Sequence, residues 1–570
     1  AKLARPELFV VVIDPRKTAS CEIADLHLPI SLGADVALFN GLLAYLADNK
    51  KLDESFIAKF TEGFDEVINA DGIVNQEALL SVTGLTNEQV TEFYQKFSTT
   101  DKVLTIYSQG VNQSSQGSDK VNSIINCHLA TGKIGKPGTG PFSVTGQPNA
   151  MGGREVGALA NTLAAHMEFG NEEHNELISE FWQTNTLAKQ PGLKAVDLFD
   201  AMHQGKIKAV WIMATNPVVS LPNNQKVIEA LKKCPLVVVS DCIEDTATTA
   251  YADVLLPAQS WSEKSGTVTN SERRISRQRR ILPTKGEGKA DWWIINQVAR
   301  RMGFEKAFNF KHEGDVFREH SQVSLLGNEH GKSRDFYLGA LSVLSDAAYK
   351  NLKPQQWPIA TEVTGEITKK PVSSGNHRFF TDNRFFTPSK KAQFISVLAK
   401  QPQAMSEQKL ILKAEGAKST TFLLNTGRIR DHWHTMTRTG LSSRLSAHMS
   451  EPYVSINIYD ATRLSLLADN LVRINSAQGE VVVRVSVNND VNRGELFVPI
   501  HWNKTSASQG NVSRLIPEVT DVISGQPEYK CTSVQLEKVA YQSEGLLLVK
   551  TPLHESMLKP FSYWVKQTVD

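Results

Sequence analysis

Ala209-Val210-Trp211-Ile212-Met213-Ala214-Thr215-Asn216-Pro217 and, after a helical interval at 223–233, Leu236-Val237-Val238-Val239-Ser240-Asp241 form a strand–helix–strand unit. Continuous apolar runs this short predict parallel strands buried on both faces. Two earlier runs share the pattern, 8–14 ending at Asp14 and 103–107 ending at Ser108. Four strands thus end in small polar residues: Asp14, Ser108, Asn216 and Asp241. In open α/β sheets, ligands lie beyond the carboxyl ends of strands. Asp, Asn and Ser also favour ordinary turns, so one such end means little. Four point to a ligand built from repeated nucleotide-like halves. No GxGxxG accompanies them, so a simple NAD site is not supported.

Helical spacing predicts helices at 35–46 and 118–130, with short helices across the polar residues 50–102. Residues 310–415 are loop-rich. After about 418 the chain turns to β: Val481, Val483, Val485 and Val487 alternate with Val482, Arg484 and Ser486, between the runs 471–474 and 496–500. This predicts a closed or nearly closed β-barrel. The expected fold class is α/β, with several parallel Rossmann-like segments and a C-terminal barrel. The expected division is 1–125 and 126–260 (two α/β cofactor-binding domains), 261–415 (a mixed segment closing over the cofactor), 416–545 (barrel) and 546–570 (a tail whose apolar residues lie over another domain).

The 570 residues would make about three or four domains. The composition is that of a soluble globular protein, and no run approaches the ~20 apolar residues of a membrane span. A formal net charge of +2 gives no support to nucleic-acid binding. The densest basic run is Arg273, Arg274, Arg277, Arg279 and Arg280, read as a solvated or salt-bridged face before a phosphate site. Cys21, Cys127, Cys234, Cys242 and Cys531 contain no CxxC pair, which argues against a zinc ribbon or iron–sulfur cluster within this chain. Scattered cysteines read as free thiols of a reducing compartment, so the expected location is cytoplasmic.

Two segments carry the chemistry. Thr145-Gly146-Gln147-Pro148-Asn149-Ala150-Met151-Gly152-Gly153-Arg154-Glu155-Val156-Gly157 is a loop turning into a helix. Gly152 and Gly153 would let backbone lie close to a ligand, and the Arg154 fork suits an oxyanion. A capping loop with an exposed Arg is the bland alternative. Thr426-Gly427-Arg428 precedes His432-Trp433-His434; a turn with amides, a hydroxyl and a guanidinium suits a pyrophosphate or pterin edge. A metal site is disfavoured there, since no third or fourth ligand has metal spacing. On these residues alone, a turn with a packed aromatic outranks a ligand site.

The run 145–157 resembles the molybdopterin oxidoreductase family, specifically the catalytic subunit of assimilatory nitrate reductase, and the resemblance runs in order to about residue 545. Ser260-Trp261-Ser262-Glu263-Lys264-Ser265-Gly266-Thr267 with Asn270 to Arg274 is its most specific segment. The resemblance implies a double-psi barrel and two molybdopterin guanine dinucleotides holding one molybdenum. Asp14, Pro15, Arg16, Lys17 and Thr18, with Gly33, Ala34 and Asp35, resemble one guanine–ribose pocket. Gln109 to Gln113 resemble the loop near the metal. Asn216, Ser240 and Asp241 resemble contacts of the other dinucleotide. Lys264, Asp291, Thr426, Gly427, Arg428, His432, Trp433, His434, Thr435, Asn511 and Lys530 fall at further cofactor positions; no metal ligand is assigned.

Arg154 is implied to orient nitrate, Met151 to shape the pocket and Gln113 to sit by the pterins. The loop 112–117 lacks the Arg of periplasmic nitrate reductases, and Ser513 stands where Asn is common. The chain is expected to be truncated, lacking an N-terminal 4Fe–4S domain and the molybdenum ligand; no C-terminal 2Fe–2S module is read. The implied function is reduction of nitrate to nitrite, with ferredoxin, flavodoxin or an NADH-dependent flavoprotein as electron donor and with neither membrane nor nucleic acid as partner. Formate dehydrogenase, periplasmic nitrate reductase and a silent cofactor-binding scaffold are the alternatives.

Overall fold

The computed structural model describes residues 2–69, 75–359, 378–400, 402, 404–405, 419–551, 553 and 555–567. The expected segment boundary at 415/416 lies outside them.

Strand Val11–Ile13 pairs in parallel with Leu26–Leu28, and Leu104–Tyr107 pairs in parallel with Gly140–Ser143. Helix Asp35–Asp48 is buried around most of its circumference, since its sequence is apolar on nearly every face. It packs on helix Gly117–Ala130. Their core is closed by Phe385, Ala392 and Phe394, far along the chain. The 125/126 division therefore falls inside a helix of this first core.

The βαβ reading holds in Ala209–Met213, Asn224–Lys233 and Leu236–Asp241, and Val254–Pro257 adds a third parallel strand. Helices Ala195–His203 and Asn224–Lys233 cover it through Phe199, Met202, Val227 and Leu231. The expectation of burial on both faces is corrected. Leu236, Val254 and Leu255 are 40–43% exposed, and Leu104 and Ile106 are 49% and 60% exposed. A third core joins Leu163, Ala165, Met167 and Ile178 to Phe317, Phe336, Leu341 and Trp357.

The C-terminal strands close into a six-stranded barrel ordered Thr421–Gly427, Glu495–Pro499, Tyr453–Asn457, Glu480–Asn488, Leu471–Asn475, Thr532–Lys538. Two parallel pairs, 421–427 with 495–499 and 453–457 with 480–488, sit among antiparallel ones. That crossed connectivity is of the double-psi type. Val481, Val483 and Val485 line the interior as their alternation predicts, but Val482 is buried too, 3% exposed. Of the tail, Val565 packs beside Met436, Trp502 and Ala507, whereas Leu546, Leu547 and Leu548 stay exposed, against expectation. No helix among the described residues is long and apolar enough to cross a membrane.

Candidate functional site

The expected ligand-bearing segments meet along one side of the barrel. The loop after Val11–Ile13 reaches it twice: the Lys17 amide donates to the Asp490 carbonyl at 2.8 Å, and the Arg16 guanidinium lies 3.3 Å above the Phe497 ring. Within that loop the Arg16 amide donates to Asp14 Oδ1 at 2.8 Å. Gly33 has φ +77°, and a Cβ there would stand 2.4 Å from Pro402, so this position requires glycine. Asp35 forms an ion pair with Lys120 at 2.8 Å.

The second α/β unit reaches the same side. Asn216 Nδ2 donates to Thr437 Oγ1 at 3.4 Å, and Thr248 Oγ1 donates to Asn216 Oδ1 at 2.7 Å. Asn511 Nδ2 donates to the Val218 carbonyl and Ser513 Oγ to that of Val219, at 3.3 and 2.6 Å. Ser513 therefore serves as an interdomain donor at this position. Ser240 accepts from Trp211 Nε1 at 2.8 Å, and Asp241 Oδ1 accepts from the Ile243 amide at 3.1 Å.

The barrel loop 426–435 lies between these arms. Lys530 Nζ donates to the Thr426 carbonyl at 2.6 Å, and Thr426 Oγ1 to that of Tyr529 at 2.8 Å. His501 Nε2 accepts from the Ile429 amide at 2.9 Å, so its Nδ1 is the protonated nitrogen and donates to the His434 carbonyl at 2.7 Å. Burial pushes His501 down to about 4, which keeps it neutral and the loop pinned. Asn503 Nδ2 holds the Thr435 carbonyl at 3.0 Å. Neither His501 nor Asn503 was found from the sequence; the signal available was a pair of polar residues flanking Trp502 directly after an apolar strand.

The 145–157 loop closes against this barrel loop. A Cβ at Gly146 would stand 2.9 Å from the Trp433 ring and 3.0 Å from Arg428, and Gln147 Nε2 lies 3.2 Å from His434 Nε2. Gly152 makes room for Asn149 Oδ1, 2.2 Å from where a Cβ would be, while Gly153 faces open space among the described residues. Arg154 is exposed at the end of helix Ala150–Glu155 and has no ion pair or side-chain hydrogen bond among the described residues. The loop is braced instead by Glu155, 3% exposed, which accepts from Trp357 Nε1 at 2.7 Å and Thr269 Oγ1 at 3.0 Å. Met151 packs against the third core. Lys264 and Asp291 pair with each other at 2.6 Å. Arg273 and Arg277 of the basic run are tied inward: Arg273 donates to the Trp357 carbonyl, and Arg277 to Tyr349 and Gly266.

Charge along the seam suits an anionic, hydrogen-bonding guest. Burial pushes Lys530 down to about 8 against the pull of Asp14, and burial also lowers Arg16 and Arg428. The Arg428 guanidinium stacks on Trp433 at 4.5 Å but has no carboxylate partner among the described residues. The buried atoms Gln116 Oε1, Asn425 Oδ1, Arg428 Nε and His432 Nε2 have no hydrogen-bond partner among the described residues. Unanswered donors and acceptors of this kind are costly unless a ligand or water satisfies them. Phosphates would relieve the desolvated cations, and a pterin edge would answer the mixed orphans. Glu495, 8% exposed, is a residue the sequence reading missed; burial pushes its carboxyl up to about 8.

Comparison with known proteins gives matching families for both halves. Residues 1–301 match the molybdopterin oxidoreductase model and 422–533 the molydopterin dinucleotide binding domain. The chain is 44% identical to a nitrate reductase of Klebsiella oxytoca over 97% of its own length and 60% of that protein's. It is 30% identical to the F420-dependent formate dehydrogenase subunit alpha of Methanocaldococcus jannaschii, over 93% of its length and 72% of that protein's. The fold matches acetylene hydratase from Pelobacter acetylenicus with a TM-score of 0.69, 15% identity, 94% of this chain and 74% of that chain. The chain thus spans about 60% of the length of the nitrate reductase it matches.

Proposed function

This chain belongs to the molybdopterin oxidoreductase family, and on that premise we propose that it is the catalytic part of an assimilatory nitrate reductase, reducing nitrate to nitrite. The observation that carries the proposal is the seam itself: two α/β strand-end clusters and the 145–157 loop meet the barrel, where the Arg428 guanidinium lacks a carboxylate partner among the described residues. Asp14 to Thr18, Gly33 to Asp35 and Lys530 would hold one guanine dinucleotide. Asn216, Ser240 and Asp241 would hold the other. Arg428, Trp433 and His434 would face the pterins, with Gln109 and Gln113 on the opposite side.

When bound, the molybdenum cofactor supplies the two-electron oxygen-atom transfer, and two protons complete the water released. The chain's own residues bind and orient. Arg154 is free of any competing carboxylate among the described residues and presents a planar fork to a planar anion. The 44% identity to a nitrate reductase and the absence of Arg from 112–117 support nitrate and the assimilatory type. An electron-donor protein, whether ferredoxin, flavodoxin or an NADH-dependent flavoprotein, would be the partner, in the cytoplasm.

The test is turnover per molybdenum by the cofactor-loaded protein with nitrate and with formate. Nitrite formed from nitrate is expected. Formate oxidation without nitrate reduction would overturn the substrate assignment.

A further inference from the structure

We propose that Glu528 is a positioning residue that sets the loop 109–117 against the barrel. Glu528 is 4% exposed. Its Oε2 accepts three hydrogen bonds, from Ser114 Oγ at 3.0 Å and from the Ser115 amide and Oγ, both at 2.8 Å. Its Oε1 accepts the Lys530 amide at 3.0 Å. The same barrel segment adds two more ties. The Tyr529 amide donates to the Gln113 carbonyl at 3.2 Å, and Asp521 accepts from the Ser118 amide and hydroxyl at 3.0 and 2.9 Å. Lys120, 1% exposed and ion-paired with Asp35, supplies the positive charge that faces Glu528.

One carboxylate therefore couples three parts of the seam: the 109–117 loop, the Lys530 backbone whose ammonium holds Thr426, and, through Lys120, the Asp35 pocket. The inference rests on the reading of that loop as facing the cofactor. Both oxygens of Glu528 are used purely as acceptors. An amide has one acceptor end, so in Glu528→Gln either the serines or the Lys530 amide must face an NH2 group. Substitution thus releases one side of the clamp whichever way the amide turns.

Two variants test this, Glu528→Gln and Ser115→Ala; the second removes one loop donor and keeps the buried charge. In the chain as it stands, hydrogen exchange across 109–118 is expected to rise about tenfold or more in Glu528→Gln and less in Ser115→Ala, with the rest of the barrel unchanged. In cofactor-loaded protein, turnover per molybdenum should fall about tenfold while KM for nitrate stays within about twofold. Unchanged exchange in both variants overturns the clamp. So does a loss of cofactor content with wild-type turnover per molybdenum, the signature of a merely structural tie. If Glu528→Gln does not fold, Ser115→Ala decides alone. If the protein reduces no nitrate, the functional reading fails, and exchange still decides the clamp.

Discussion

Replacing Glu495 by Gln should change how stability depends on pH. Glu495 begins the barrel strand Glu495–Pro499, is 8% exposed, and lies where the loop 29–34 meets the barrel, with Asn492 Nδ2 at 3.3 Å from Oε2. Burial pushes its pKa up to about 8; hydrogen bonds from Leu32 and Asn492 oppose this, and the Asp14 charge adds to it. The sign follows from which state holds the proton. Between about 4.5 and 8 the unfolded chain has lost this proton while the folded chain keeps it, so folding stability falls as pH rises through that window. Each unit corresponds to about 1.4 kcal/mol, so the loss between pH 5 and 7 is on the order of 3 kcal/mol. The amide in Glu495→Gln mimics the neutral acid and has no such slope. Thermal unfolding of both proteins from pH 5 to 8 measures the difference. The variant should gain steadily on the wild type up to about pH 8. Parallel curves would show that Glu495 is ionised in the fold and would refute the reasoning.

Arg154→Ala should lower the nitrate specificity constant per molybdenum about ten- to a hundredfold, with Arg154→Lys recovering only part because it lacks the fork; an unchanged constant removes Arg154 from the substrate site. Lys120→Met leaves Asp35 and Glu528 without the cation that faces them, and should cost about 3–5 kcal/mol in unfolding measurements; a loss under about 1 kcal/mol would show the buried pair to be dispensable. Glu155→Ala should destabilise the chain by about 1–3 kcal/mol, because it leaves the buried Trp357 indole N–H without an acceptor. An unchanged melting temperature would contradict its bracing role.

The fold was legible wherever a local pattern carried it. The runs 209–213 and 236–239 were legible as strands from their short continuous apolar pattern, and the helix found at Asn224–Lys233 lies within a residue of its expected start. What escaped the sequence was assembly over distance. Phe385 and Phe394 complete a core begun at Leu26, and Leu163 to Ile178 complete one whose bulk lies at 317–359. No periodicity records such pairings. The site divides in the same way. Asn216 and Asp241 were legible as strand ends and Thr426 as part of a turn, whereas Glu155, Glu495, Glu528 and His501 are single buried polar residues whose partners lie elsewhere in the chain. Lys120 did leave a trace: it stands four and seven residues before Ile124 and Cys127, on the buried stripe of its helix.

The seam as a holder of two guanine dinucleotide ends is tested most directly by calorimetric titration of the 570-residue chain with guanosine diphosphate. Two equivalents per chain are expected, one lost in Asp14→Ala and the other in Asp241→Ala. A chain that binds no guanosine diphosphate, or that keeps full stoichiometry in both variants, would contradict it.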